Sequence, residues 1–347
     1  MTPFDLAAEL GHERVILVQE PAVGLRAVIA LHSTALGPAV GGTRMRRYPS
    51  FADAFEDALR LAHAMTAKCA YAGLDYGGGK AVIDGDPQVA KTPALLAAYG
   101  RAVEELDGRF LTGGDMGVSH ADLEALARAT HHVGRAPAGA SVDASDLTAI
   151  GVAAAIRALA ARLGRRLDGL RVALQGTGEV GARLARRLAR AGVRLTLADA
   201  LPARAEALAE EVGGETVAAE AIYDVPCDLF SPNAAGGVLS AATVARLDCR
   251  AVCGAANNPL ESPLVGYELA ARGVVYAPDF VVNAGGVLSL LYETGQTDER
   301  GVVRRVERIG ADLDELVDAA AAAGLPPFRL AERRVAERLA AARRTGR

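Results

Sequence analysis

The chain has 347 residues, 51% apolar and 23% charged, which indicates a folded protein of about two domains and excludes a disordered or collagen-like chain. A formal net charge of -4 offers no basic surface for nucleic acid or for an anionic membrane. No apolar run reaches the roughly 18–20 residues of a spanning helix and the first residues do not resemble a signal peptide, so we expect a cytoplasmic protein.

Short strands and helices are predicted for the first part of the chain. Two apolar strands are expected within residues 14–32, followed by a glycine-rich turn, GPAVGGTRM, at 37–45. Apolar residues at helical spacing predict a helix over 52–66. The elements expected next are a strand at the end of CAYAGLDYGGGKAVI (69–83), a helix over about 92–106, a strand at 109–113 and a helix over 120–129.

Beyond residue 150 the pattern changes to helices that alternate with short apolar strands. This alternation predicts a parallel sheet covered by helices on both faces. Residues 302–345 are predicted to be helical, with a break at 324–327. The expected strands are RVALQ (171–175), RLTLAD (194–199), CDLFSP (227–232), AVCGAA (251–256) and GVVYAPDF (273–280).

A glycine fingerprint, GTGEVG at 176–181, follows the strand 171–175 and opens a helix. In that context the glycines allow a tight turn and a close approach of the backbone to a pyrophosphate on the helix N-terminus. Asp199 ends the next strand, where a carboxylate binds the ribose hydroxyls of NAD and repels the 2′-phosphate of NADP; the nearby Arg204 is expected on an exposed helix. We therefore predict a doubly wound Rossmann domain that binds NAD through Gly176, Thr177, Gly178, Glu179, Val180, Gly181 and Asp199.

Lysine is rare in this chain, since only Lys68, Lys80 and Lys91 are present among 38 basic residues. A desolvated lysine can lose its proton whereas arginine stays charged, so a retained lysine suggests a position that arginine cannot fill. Lys80 directly follows the glycines at 77–79, which would let a substrate approach the backbone closely. The region 65–80 is therefore a candidate reaction site, although chance could also leave three lysines anywhere in the chain.

Several further motifs occur in one order along nearly the whole chain. They are LGPAVGGTRM (36–45), EDALRLAHAMTAK (56–68), MTAKCAYAGLDYGGGKAVI (65–83), TGGDMG (112–117), GAANNPL (254–260) and YAPDFVVNAGGV (276–287). Together they resemble the NAD(P)-dependent Glu/Leu/Phe/Val amino-acid dehydrogenases, most closely the leucine/phenylalanine branch. The resemblance implies reversible oxidative deamination of a hydrophobic L-amino acid to a 2-oxo acid, ammonia and NADH.

The resemblance also assigns roles to individual residues. Lys80 matches the catalytic lysine, Asp115 its partner in proton transfer, and Lys68 the lysine that holds the substrate carboxylate. Asn258, with its neighbour Asn257, matches the pair near the substrate amino group and the nicotinamide, and Thr148 falls where the family contacts the nicotinamide amide. The side-chain pocket is implied to be lined by Val40, Gly41, Met65, Gly113, Val287 and Leu290.

The family architecture implies an α/β substrate-binding and oligomerisation domain at 1–135, completed by C-terminal helices at about 326–347. A Rossmann domain is implied at 145–325, with the reaction in the cleft between the two domains. A homo-oligomer, an octamer or a dimer, is expected, with a small amino acid as substrate and neither nucleic acid nor membrane as partner. A Rossmann dehydrogenase of another substrate and a non-catalytic NAD-binding regulatory protein are the alternatives.

Some residues allow a simpler interpretation. Asp115 could merely cap the helix expected at 120–128, and Gly114 stands where relatives often have an acidic residue. The loop 141–149 lacks the proline-containing run of the leucine branch. Asn283 could line the nucleotide site or serve only a turn. The six histidines and four cysteines show no metal-ligand spacing, so no metal site is expected.

Overall fold

The computed structural model describes residues 3–134, 140–141 and 143–345, and the chain forms two compact units. The first comprises Met1–Pro137 with Val335–Arg347, and the second comprises Ala138–Arg334. Both units combine a sheet with helices, so the predicted two-domain α/β fold is confirmed.

The first unit contains the elements α1 (Pro3–Glu9), β1 (Arg14–Glu20), β2 (Leu25–Ser33), β3 (Ala39–Arg46), α2 (Phe51–Ala72), β4 (Gly77–Asp84), α3 (Pro93–Glu104), β5 (Phe110–Gly114) and α4 (His120–Leu126). Its strands are ordered β1-β2-β4-β3-β5. The pairs β1–β2 and β2–β4 are antiparallel, whereas β3 runs parallel to β4 and β5. Apolar residues of α2 pack on one face of this sheet, and those of α3 and α4 pack on the other.

The glycine-rich segment 37–45 is not a turn as predicted, because most of it forms the strand β3 near the middle of the sheet. Gly41 and Gly42, which lie within this strand, have low β propensity and therefore favoured the prediction of a turn. A Cβ atom at Gly41 would lie 1.8 Å from the carbonyl oxygen of Gly79 on β4, so only glycine allows the two strands to lie this close.

The helix expected over 52–66 is also longer than predicted, since α2 continues to Ala72. Ser50 caps its N-terminus by accepting a hydrogen bond from the backbone of Asp53, and Gly73 ends it in the left-handed conformation, with φ of 79°. Lys68 consequently lies on this helix rather than in a loop after it.

The second unit contains α5 (Ala144–Arg162), β6 (Arg171–Gln175), α6 (Glu179–Arg190), β7 (Arg194–Ala198), α7 (Pro202–Val212), β8 (Glu215–Thr216), β9 (Leu229–Pro232), α8 (Ala241–Arg246), β10 (Ala251–Val252), α9 (Pro263–Ala271), β11 (Val275–Tyr276), α10 (Asp279–Val282), α11 (Gly285–Glu293), α12 (Glu299–Glu307), α13 (Ile309–Ala322) and the first part of α14 (Pro327–Thr345). The strands, ordered β11-β10-β9-β6-β7-β8, pair in parallel. Numbered within this unit the order is 3-2-1-4-5-6, which is that of the Rossmann fold.

Helix α5 is long and apolar enough to span a membrane by length and composition alone. It packs against α6, α11 and α13 inside the second unit, and 56% of its apolar window is buried there. These contacts are those of a core helix.

The chain returns to the first unit later than the expected position of about 326. The boundary lies within α14, before Val335. Phe328, near the start of this helix, is 3% exposed and packs against Tyr267 and Tyr276 of the second unit. The predicted boundary at 135 and the end at 347 lie outside the described residues.

Candidate active site

Three of the predicted site residues lie on one face of the sheet in the first unit. Strand pairing places Val40 beside Gly78 on β4 and beside Leu111 on β5. Residues two positions apart on a strand share a face, so Val40, Lys80 and Gly113 all project from the face that α2 covers. The structure thereby brings together residues that are up to 73 positions apart in the sequence.

An ion pair joins the two residues predicted to be catalytic. The Nζ atom of Lys80, whose side chain is only 9% exposed, lies 2.5 Å from Oδ2 of Asp115. The same oxygen accepts a hydrogen bond from Nε of Arg44 at 3.1 Å, and Oδ1 accepts one from the backbone N–H of Met116 at 2.7 Å. Burial alone raises the pKa of Asp115, but the charges of Lys80 and Arg44 outweigh it and hold that pKa well below its usual range. Asp115 is therefore ionised at neutral pH.

Asp115 does not cap the following helix. The N-cap of α4 is Ser119, whose hydroxyl accepts a hydrogen bond from the backbone of Asp122 in a capping box. Lys91 donates to Asp122 and to the carbonyl oxygen of Gly117, at 2.7 and 3.0 Å, and so fixes the same loop. Asp115 is thus not a helix cap. Of the three lysines, Lys91 has a structural role in holding this loop.

Arg44 and Asp57 belong to the same network, and the sequence analysis missed both. Arg44 donates through Nη1 to Oδ2 of Asp57 at 3.0 Å, and the hydroxyl of Tyr48 donates to that oxygen at 2.6 Å. Burial lowers the pKa of Arg44, but the carboxylates of Asp115 and Asp57 raise it by a larger amount. The guanidinium therefore stays charged. Recognition of 39–46 as a strand would have placed Arg44 on the face of Val40 by simple alternation.

The other residues predicted to bind substrate in this unit lie on the helix α2 and on the strand β3. Met65 and Lys68 are half-buried on α2, the helix whose Thr66 packs directly against Gly78. Gly41 alternates to the opposite face from Val40, and its missing Cβ would meet the Gly79 carbonyl. Any substrate contact of Gly41 is therefore limited to its backbone.

The glycine turn of the second unit lies at the carboxyl end of β6. A Cβ at Gly181 would lie 2.0 Å from the carbonyl oxygen of Gly176, so glycine is required for the turn to meet the helix. A Cβ at Gly178 would meet nothing within 4 Å, and no side chain caps α6 at this residue. Glu179 is exposed and Val180 half-buried in its first turn. These open backbone groups at a helix N-terminus suit the pyrophosphate of a dinucleotide.

Asp199 directly follows β7, which ends one residue earlier than predicted, and its carboxylate already binds the glycine turn. Oδ2 accepts hydrogen bonds from the backbone and hydroxyl of Thr177 at 2.7 and 3.0 Å, and Oδ1 accepts one from the backbone of Leu201 at 2.9 Å. Burial raises the pKa of Asp199, but these hydrogen bonds lower it by a larger amount. The pKa is therefore below its usual value and the group is ionised. Each carboxylate oxygen accepts two bonds, which leaves Oδ1 able to accept a ribose hydroxyl. Arg204 is exposed on α7.

An amide cluster lies after β10. Nδ2 of the buried Asn283 donates to Oδ1 of Asn257 and to the carbonyl oxygen of Ala255, both at 3.1 Å, while its own Oδ1 is buried and has no hydrogen-bond partner. Asn258 adopts a left-handed conformation, with φ of 49°, and its backbone donates to Asp279 at 2.8 Å. The unpartnered acceptor of Asn283 fits the carboxamide N–H of a nicotinamide, which would satisfy it.

The remaining predicted residues of this unit lie on α5 and α11. Thr148 is packed closely against Gly286. A Cβ added at Gly286 would lie 3.0 Å from the hydroxyl oxygen of Thr148. Val287 and Leu290, on α11, are 5% and 9% exposed. Of the atypical loop 141–149, Val142 lies outside the described residues, and Asp143 is the N-cap of α5. Across the part of the chain that the structure describes, no group of three His, Cys, Asp or Glu side chains could hold a metal.

Comparison with known proteins gives consistent matches. Residues 12–132 match the model of the Glu/Leu/Phe/Val dehydrogenase dimerisation domain, and residues 200–341 match that of the Glutamate/Leucine/Phenylalanine/Valine dehydrogenases. The leucine dehydrogenase of Thermoactinomyces intermedius is 39% identical over 99% of this chain and 95% of its own length. The valine dehydrogenase of Streptomyces coelicolor is 43% identical over 96% of this chain and 93% of its own length.

A solved structure extends the similarity to the fold. The crystal structure of L-tryptophan dehydrogenase from Nostoc punctiforme covers 99% of this chain and 100% of its own, with a TM-score of 0.80 and 37% identity. Since these identities extend over almost the full length of both sequences, the chain belongs to the Glu/Leu/Phe/Val dehydrogenase family.

Proposed function

We propose that this protein catalyses the reversible, NAD-dependent oxidative deamination of a hydrophobic L-amino acid to the 2-oxo acid and ammonia. The observation that carries the proposal is the ion pair between the buried Lys80 and the half-buried Asp115, held by Arg44, in a chain of this family. Relatives named for leucine, valine and tryptophan support an apolar substrate.

Lys68 is proposed to bind the substrate carboxylate. Lys68 lies on α2, the helix that covers the sheet face carrying Lys80, and an ammonium group pairs strongly with a carboxylate. This contact would fix the amino acid so that its α-amino group faces the Lys80–Asp115 pair.

Lys80 and Asp115 are proposed to carry out the proton transfers of the reaction. NAD, when bound, accepts the hydride from the substrate Cα. The amine must lose a proton before that transfer, and the water that attacks the resulting imine must lose one afterwards. Asp115 stays ionised between Lys80 and Arg44, so it orients Nζ and balances its charge while Lys80 exchanges protons with the amine and the water. Arg44 is in turn held by Asp57.

The side-chain pocket is proposed to be apolar and partly open. Val40 and Gly113 share the face of Lys80, and a Cβ at Gly113 would have one neighbour within 4 Å, the carbonyl oxygen of Gly134 at 3.9 Å. Neither residue offers a partner for a second carboxylate, whose burial would be costly. We therefore propose branched-chain amino acids as preferred substrates, slightly ahead of phenylalanine, and rejection of glutamate. Contacts of Asn258, Val287 and Leu290 with the substrate remain part of this proposal.

The cofactor is proposed to bind the second unit through the glycine turn, Asp199 and the amides of Asn257 and Asn283. The open backbone at Gly178 and the unpartnered Oδ1 of Asn283 support this assignment. The contact of Thr148 with the nicotinamide amide is also part of the proposal.

A panel of L-amino acids tests the proposal, with NADH formation followed at 340 nm. Leucine, valine, isoleucine and phenylalanine should each be oxidised, whereas glutamate and 2-hydroxy acids should not be. Asp115→Asn should lose most of this activity, while Asp122→Asn, which alters the neighbouring helix cap, should retain it. Oxidation of a 2-hydroxy acid, or no turnover with any amino acid, would contradict the assignment.

Domain roles and assembly are proposed on the same basis. The first unit would bind the amino acid and the second the cofactor, which corresponds to the predicted domains at 1–135 and 145–325.

The edge strand β1, with Leu17 62% exposed, supports a homo-oligomer, a dimer or an octamer, formed through the first unit. A cytoplasmic location is proposed because the reaction draws on free amino acids and NAD. Light scattering on the purified protein would measure the assembly, and a monomer would refute it.

A further inference from the structure

Two thiols of the second unit lie side by side at the amino ends of neighbouring strands. Cys227 stands two residues before β9, and Cys249 stands two residues before β10. The parallel pairing of these strands places Leu229 beside Ala251. The same register continued two residues back places Cys227 beside Cys249.

Backbone hydrogen bonds confirm that the two residues are neighbours. The backbone N–H of Cys227 donates to the carbonyl oxygen of Asp248 at 3.0 Å, and that of Arg250 donates to Asp228 at 3.1 Å. Cys249 lies between these two bonds, so its thiol is next to that of Cys227. Adjacent strands are about 4.8 Å apart, within the Cα separation of about 4.4–6.8 Å that a disulfide requires. The strand spacing therefore permits a bond between the two sulfur atoms.

The other two cysteines have different surroundings. Cys69 and Cys253 are fully buried, and burial raises the pKa of the Cys69 thiol to about 12. Cys227 is also buried, at 6% exposed, but Cys249 beside it is partly exposed. Its thiol donates a hydrogen bond that lowers the pKa of Cys227, and the charge of Arg171 acts in the same direction. Thiolate character at Cys227 and solvent access at Cys249, the two properties that govern oxidation, therefore lie on neighbouring residues.

We propose that Cys227 and Cys249 form a site of reversible oxidation, at which a hydroperoxide converts the two neighbouring thiols into a disulfide. The Cys227 thiolate attacks one oxygen of hydrogen peroxide, the O–O bond breaks, and a sulfenic acid and one water result after proton uptake. The sulfur of Cys249 then attacks the sulfenic sulfur, the S–O bond breaks, and a second water leaves. Two thiols thereby lose two protons and two electrons, and one peroxide becomes two waters. A thiol reductant reverses the bond by exchange.

The position of the pair separates this proposal from the dehydrogenase reaction. The two cysteines lie at the amino ends of β9 and β10, whereas the turn at Gly176 and the amide of Asn257 follow the carboxyl ends of the strands. The proposal therefore does not rest on the proposed function, and its test needs no activity measurement.

Peptide mapping of the full-length protein tests the inference. The reduced protein is treated with hydrogen peroxide, remaining thiols are alkylated, and the chain is cut with trypsin without reductant. Cleavage after Arg204, Arg246 and Arg250 puts Cys227 in peptide 205–246 and Cys249 in peptide 247–250. These two peptides should appear linked, about 2 Da lighter than their sum, and should separate after reduction.

Cysteine variants provide the controls. Cys227→Ser and Cys249→Ser should each abolish the linked peptides, whereas Cys69→Ser should retain them. Recovery of both peptides alkylated after peroxide, irreversible sulfinic or sulfonic products at Cys227, or a link that involves Cys253 would each overturn the proposal.

Discussion

Replacing Gly113 by alanine should narrow the proposed substrate pocket and leave the fold intact. Gly113 does not adopt a left-handed conformation, and an added Cβ would make only an ordinary contact, 3.9 Å from the carbonyl oxygen of Gly134. The new methyl group would project from the face that carries Lys80. It removes from the pocket about the volume of one methylene, which is worth about 1–3 kcal/mol of discrimination between substrates.

A change of this size corresponds to an increase of about 5-fold to 150-fold in the leucine-to-phenylalanine ratio of kcat/KM. Steady-state kinetics with both amino acids at saturating NAD measure it. Gly114→Ala is a matched control, because its methyl group would project from the opposite face, 3.4 Å from the carbonyl oxygen of Val118. An unmoved ratio in Gly113→Ala, or an equal shift in both variants, would show that Gly113 does not line the pocket.

Four further outcomes are expected. Lys80→Ala should lower kcat by about 10³-fold or more while NAD binding, measured by calorimetry, persists; turnover within tenfold of the wild type would exclude Lys80 as the base. Lys68→Ala should raise the amino-acid KM sharply, and an unchanged KM would mean that the carboxylate binds elsewhere. NAD should be preferred to NADP by kcat/KM because of Asp199, and a reversed preference would refute that role. Burial and the charges of nearby histidines lower the pKa of His32 from 6.5 to about 4, so the unfolded chain binds more protons across that window. The free energy of unfolding, measured with urea, should therefore fall by roughly 3 kcal/mol as the pH drops through it, and a flat profile would contradict the sign.

The features that the sequence predicted well are those encoded by adjacent residues. The turn at 176–181 is predictable because its glycines, the strand before it and the helix after it all lie within about 20 residues. The alternation of strands and helices after residue 150 likewise determines the parallel sheet. Lys80 was singled out by the rarity of lysine together with the glycines before it.

The features that were missed depend on contacts between distant segments. Glycine propensity argued against a strand at 39–46, and only the close approach of Gly41 to Gly79 explains why a strand forms there. Once that strand was missed, the link from Arg44 to Asp115 and Asp57 could not be seen. For Asp199 the sequence predicted the position but not its bonds to the glycine turn, which require knowledge of how β6 and β7 pair.

Product analysis with L-leucine deuterated at Cα tests the central claim most directly. Oxidative deamination predicts equal amounts of ammonia, 2-oxo acid and reduced cofactor, with the deuterium recovered in the reduced nicotinamide. Lys80→Ala should yield none of these above background under the same conditions. Formation of reduced cofactor without ammonia, or with the deuterium released to water, would contradict the proposed reaction.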